Sequence, residues 1–163
     1  MAIGKKITFE GNTYNLGNKD RVAAAAGVER APVIASVNFI SGSFPKEIGG
    51  MGDDHASGSF FIADRQLEVQ SIQCSTWVSA SGASALYVER LQDAEQVGTG
   101  DKLLSGSVDL TMTQGVVRGS VDGVSKSTLI LNKGNRLGLL ISDYGARGGF
   151  GTVTVTLKST DDL

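Results

Sequence analysis

Thr152-Val153-Thr154-Val155-Thr156-Leu157-Lys158 alternates polar and apolar residues without a break, and it decides the class of fold. Successive strand residues point to opposite faces, so Val153, Val155 and Leu157 share one face and the threonines the other. The same period of two marks Val108, Leu110 and Met112, then Leu137, Leu139 and Ile141, and Leu86 and Val88 beside Tyr87 and Glu89. Each reads as a half-buried strand with one face on a core. Between Leu67/Val69 and Ile72/Cys74 the apolar set moves from odd to even positions. A one-residue slip reverses the facing of everything after it, so a β-bulge is expected near Gln70-Ser71.

Working outward, further strands are expected at 33–40, 58–63, 115–121 and 127–132. Turn signals separate them at Gly49-Gly50, Ala80-Ser81-Gly82, Gly98-Thr99-Gly100, Asp122-Gly123 and Lys133-Gly134-Asn135. Eight or nine short strands at this spacing predict an all-β antiparallel fold, a two-sheet sandwich or a small barrel. No helical pattern alternates with them, which argues against a parallel α/β sheet. At 163 residues the chain is long enough for one core and too short for two comfortable domains.

Residues 1–32 differ from the rest. They carry five Lys/Arg and three Asp/Glu, against ten and fourteen in 33–163. Lys6-Ile7-Thr8-Phe9-Glu10 suits a short extended piece before the turn-rich Gly11-Asn12-Thr13. Asp20-Arg21-Val22-Ala23-Ala24-Ala25-Ala26-Gly27 suits a two-turn helix with an N-cap and a terminating Gly. The division expected is an extended N-terminal arm, 1–32, and a β-sandwich domain, 33–163. An edge strand and helix packed on that same domain is the alternative for the early residues.

The scarce residues exclude several chemistries. One His and one Cys cannot assemble a zinc site by themselves, and one Cys forms no internal disulfide. No metal or other cofactor is therefore expected. A net charge of −2 offers nucleic acid no general attraction. No segment approaches the ~20 apolar residues of a membrane span, and the start leads into no apolar signal core. A soluble protein without an obvious export signal is expected.

Gly49-Gly50-Met51-Gly52-Asp53-Asp54-His55-Ala56-Ser57-Gly58 gathers two carboxylates and the only His. Calcium takes six to eight oxygens, and no EF-hand spacing supplies them here. A solvated connector is the plainer reading, and His55 as general base would need partners from distant strands. Neither a Gly-x-Ser-x-Gly elbow nor a phosphate-binding Gly-x-x-x-x-Gly-Lys loop occurs, so no enzyme is expected. Asp143-Tyr144-Gly145-Ala146-Arg147-Gly148-Gly149-Phe150 displays Tyr144 and Arg147 among glycines, residue types found at interface hot spots and sugar platforms. A long hairpin turn is the plain alternative. Trp77, between Thr76 and Val78, either faces outward or packs in the core or at its rim.

Ser57-Gly58-Ser59-Phe60-Phe61-Ile62-Ala63, a strand entering Trp77-Val78-Ser79-Ala80, and Ala85-Leu86-Tyr87-Val88-Glu89-Arg90-Leu91 together resemble the small β-sandwich virion proteins of tailed bacteriophages. Leu103 to Leu110 and Leu129 to Leu139 continue the likeness, which covers about residues 57–158. Those proteins commonly start a penultimate strand with a Lys-Gly-Asp-Arg-Leu turn; here Asn135 stands in place of the Asp. The resemblance implies a jelly-roll decoration or cement protein, made in the host cytoplasm and placed on the outer surface of a phage head. It implies the major capsid protein as partner and a homotrimer, or a dimer, with no role for nucleic acid or membrane. The arm then supplies Lys5, Lys6, Phe9 and Tyr14 as contacts. Phe44 and Pro45 come next in the Ser43-Phe44-Pro45-Lys46 connector, with Tyr144 and Arg147. The competing expectation is a carbohydrate- or receptor-binding module of a fibre or secreted protein, with Tyr144 or Trp77 as the platform.

Overall fold

The longest alternating stretches become the longest strands. The computed structural model describes residues 6–9, 12–15, 31–40, 55–82, 84–143 and 149–160. An early hairpin pairs β1 (Lys6–Phe9) with β2 (Asn12–Asn15) in a two-stranded sheet. Then come β3 (Val33–Ile40), β4 (His55–Ile62), β5 (Leu67–Val78) and β6 (Ser84–Leu91). Three two-residue strands come after them: β7 (Asp101–Lys102), β8 (Val108–Asp109) and β9 (Val117–Arg118). A helical turn, α1 (Lys126–Leu129), leads into β10 (Ile130–Leu131), and β11 (Arg136–Asp143) and β12 (Phe150–Ser159) close the fold.

These strands form two antiparallel sheets. The first runs β10-β5-β12-β3 with β9 also on β5; the second runs β4-β11-β6-β7 with β8 also on β6. The pairing is nested: β3 with β12, β4 with β11, β5 with β10, β6 with β7. A long antiparallel ribbon wrapped on itself gives this nesting, which is the jelly-roll order. Between the sheets lie Val153, Val155 and Leu157 of β12, Ile72 and Cys74 of β5, Leu86 and Val88 of β6, and Leu137 and Ile141 of β11.

The parity switch in β5 is the bulge expected. Thr156 pairs with Ser71 and Leu157 with Val69, which leaves Gln70 as the extra residue. Elsewhere local hydrogen bonds override the alternation. The expected strand at 127–132 is a helical turn followed by two strand residues. Ser125 caps the turn, its hydroxyl accepting from Thr128 N at 3.3 Å. The strand expected at 115–121 shrinks to Val117–Arg118, because Gly115 (φ 74°) and Gly119 (φ 139°) bracket it in left-handed backbone. Val108, Leu110 and Met112 are all buried, yet only Val108–Asp109 is strand. The Asp109 carboxylate accepts from both Thr111 N and Thr111 Oγ1, and this local turn bends the chain away from the ladder. His55 opens β4 instead of sitting in a connector, opposite Ser142. Asn12 and Thr13, read as turn, belong to β2. The helix expected at 20–27 lies outside the described residues.

Candidate interaction surface

The two sheets treat their outer faces differently. On the second sheet, the segment 92–100 between β6 and β7 lies over the outside. Leu91 and Val97 pack against Gly138, where an added Cβ would meet their methyls at 2.9 and 3.0 Å. Glu89 is fully buried under this strap, its Oε2 accepting from Gly98 N at 2.7 Å. Arg136 fastens the strap further by donating to the carbonyls of Asp93 and Glu95. The alternation rightly turns Glu89 away from the core, but a side chain facing outward is here still covered.

The outer face of the first sheet is open, and its register fixes which residues share it. Thr154 lies between Gln73 and Ser36; Thr152 between Ser75 and Asn38; Thr156 between Ser71 and Ile34. Val117 of β9 extends the Ser75 row. Cross-strand bonds order the middle, with Ser36 Oγ and Thr154 Oγ1 at 3.1 Å and Thr152 Oγ1 donating to Asn38 Oδ1 at 2.9 Å. Trp77 and Phe150 complete the face at one end. Gly151 pairs with Thr76 and Phe150 with Val78, so Trp77 is the extra residue of a second bulge. Bulges re-aim side chains. This one presents Trp77 to solvent, 52% exposed, with its ring edge-to-face on Phe150 at 5.4 Å. Val117 is 55% exposed and Ile34 62%.

None of these twelve positions carries a charge, although Lys, Arg, Asp and Glu make up 20% of the chain. At the ~25–35% charged share typical of solubilising surfaces, three or four charges would be expected. Charge resumes at one end, where Glu68 lies opposite Lys158, while Arg118 of β9 pairs with core-facing Cys74 and takes the other side of the sheet. A flat, neutral, hydroxyl-rich face with an aromatic edge suits contact with another surface or with a neutral polar chain.

An open groove of about 670 Å³ lies where the chain crosses from β8 to β9, lined by Ser105, Ser107, Thr113 and Ser120 together with Asp109 and Arg118. The Thr111 backbone and hydroxyl hold the Asp109 carboxyl below its usual range. Among the described residues no group of three or more His, Cys, Asp or Glu is placed to hold a metal ion. None of the described helices is long and apolar enough to cross a membrane.

Of the contacts read from the sequence, Lys6 and Phe9 fall on β1 and Tyr14 on β2. Tyr14 pairs with Ile7 and Lys6 with Asn15 across this hairpin. Lys5, Phe44, Pro45, Tyr144 and Arg147 lie outside the described residues. The sequence left Trp77 between two readings, and the structure places it outward, at the rim of the open face. Ser36, Asn38, Gln73 and Val117 were not singled out. For Ser36, Asn38 and Gln73 the signal is the polar partner of each alternating pair, and Val117 joins them only through its register with Ser75.

No protein-family model matches this chain, and no curated protein matches it. Among solved structures, a chain in a structure of the infectious bursal disease virus Gx strain is similar at a TM-score of 0.38 with 12% identity. The alignment covers 98% of this chain and 40% of that one, so this chain spans well under half its neighbour's length. At that score the likeness carries nothing about family or function.

Proposed function

We propose that the chain is a non-enzymatic virion structural protein that decorates the outside of a phage capsid and bridges major capsid subunits. The observation that carries this reading is the neutral, aromatic-edged face on a jelly-roll sandwich. Such a face has what a protein contact needs, a broad plane without desolvated charge and a Trp anchor at its edge. Jelly rolls also serve lectins and enzymes, so the fold by analogy only permits the role. The resemblance across residues 57–158 and the basic early segment add to it. Many copies on a lattice turn weak single contacts into firm attachment. Separation of native particles on a density gradient, with the chain counted by mass spectrometry, tests the proposal. A large fixed copy number per shell subunit is the expected result; a slow, free species rejects it.

A carbohydrate-binding role is the second reading, favoured by the exposed Trp77 ring at the end of a face whose next row carries the hydroxyls of Ser75 and Thr152. It predicts glycan binding that Trp77→Ala abolishes without unfolding the domain. An array with no hit at millimolar sugar rejects it.

A further inference from the structure

We infer that the open face of the first sheet is covered by the same face of a second copy of this chain, in a twofold dimer. The inference rests on the proposed reading in one point, that this face is a protein-contact surface; in the dimer it joins two copies of a shell-bound protein, so contacts with the shell itself fall to surfaces outside it. Two observations select a copy of itself as the occupant.

The first is charge. In a twofold interface the same patch meets itself, so any charge near the axis meets its own like. Like charges placed together cost several kcal/mol, and a face that pairs with itself must be neutral near its centre. The central row Gln73, Thr154, Ser36 and the rows on either side meet that condition. A partner recognised by opposite charge would call for a charged face instead.

The second is extent. Three full strands and the short β9, at ~4.8 Å spacing and eight residues of ~3.3 Å, give roughly 400–500 Å² in plan. Counted over both copies that is roughly 800–1,000 Å² in plan, and the projecting side chains of Trp77, Ile34 and Val117 add to it, which brings it to the ~1,000 Å² lower bound of a specific interface. The second sheet, by contrast, is covered around Gly138 by its own strap at Leu91 and Val97, and its exposed apolar residue, Ile62 at 65%, stands on the edge strand β4.

The test uses the whole chain in solution. Sedimentation equilibrium should give a particle near twice the 16.9 kDa chain mass. Gln73 is exposed and central, so Gln73→Lys and Gln73→Glu should each fold yet weaken association by roughly a hundredfold. Mixed in equal amounts, the two variants should associate again, since Lys then faces Glu. Trp77 is the only Trp, so its fluorescence reports on this face alone. It should resist acrylamide quenching in the wild-type dimer and become accessible in either single variant. A wild-type monomer at high concentration overturns the inference. So does an oligomer that neither Gln73 variant weakens, which would place the contact elsewhere. Loss of particle association with the dimer intact would reject the virion reading and leave this one standing.

Discussion

A methyl group on Gly151 would stand 2.1 Å from the carbonyl oxygen of Ser75. The same atom would lie 2.9 Å from the Thr76 Cα and 3.0 Å from the Phe39 ring. β12 can therefore approach β5 at the Trp77 bulge only because residue 151 has no side chain.

Gly151→Ala is accordingly expected to cost at least about 2–3 kcal/mol, since backbone has to move. In a domain of this size that lowers Tm by roughly 4–12 °C. Gly106→Ala, where a Cβ meets nothing within 4 Å, serves as the near-neutral control. Calorimetry of both checks the difference. Equal melting temperatures would show that the two strands do not approach this closely.

Arg90 links the two sheets across one side of the sandwich. Its Nη1 donates to the carbonyls of Ser127 and Ile130, and its Nη2 to Asp101. With the side chain only 13% exposed, Arg90→Ala should cost about 3 kcal/mol in urea unfolding. Arg90→Lys should recover less than half of that, because an ammonium cannot reproduce the planar fork.

Cys74 is fully buried, and burial pushes its thiol up to about 12. The neutral thiol should resist alkylation in the native protein and react on unfolding. The folded pKa lies above the unfolded one, so the folded state holds its proton more tightly. Stability from this group is therefore complete below about pH 9 and falls by up to ~1.4 kcal/mol per unit as pH rises toward 12. The difference in alkaline stability between wild type and Cys74→Ala isolates that slope.

Asn135 closes the turn before β11. Its Oδ1 accepts from Asn132 N at 2.8 Å, and its own N–H returns to Asn132 O at 2.9 Å. Gly134, at φ 90°, supplies the left-handed residue the turn needs. Asn135→Asp keeps the acceptor and should change stability by less than about 0.5 kcal/mol, whereas Asn135→Ala should cost about 1–2. Thermal melts of the pair decide it.

Much of this architecture was legible in the sequence. The period of two located β3, β11 and β12, and the change of parity before Ile72 located a bulge. Failures came where a polar side chain met its own backbone, at Ser125 and Asp109, because such bonds leave no trace in hydrophobic periodicity. Glu89 shows a different limit. Alternation says which way a residue faces, but only the three-dimensional course of 92–100 says whether that side is wet. The open face was harder still, since its neutrality belongs to four strands from distant parts of the chain.

The pairing of Val33 with Leu157 carries a mechanical consequence. The chain enters the sandwich at one strand and leaves it along the adjacent antiparallel one, at the same end. A tension applied between those two points would open the β3–β12 ladder pair by pair, like a zipper, instead of shearing all its hydrogen bonds at once. Pulling on the early residues against the body of the sandwich loads the same ladder along its length and shares the force among its bonds. A tether anchored through residues before Val33 would hold best when the opposing load is carried by the sheets and not by the residues after Leu157.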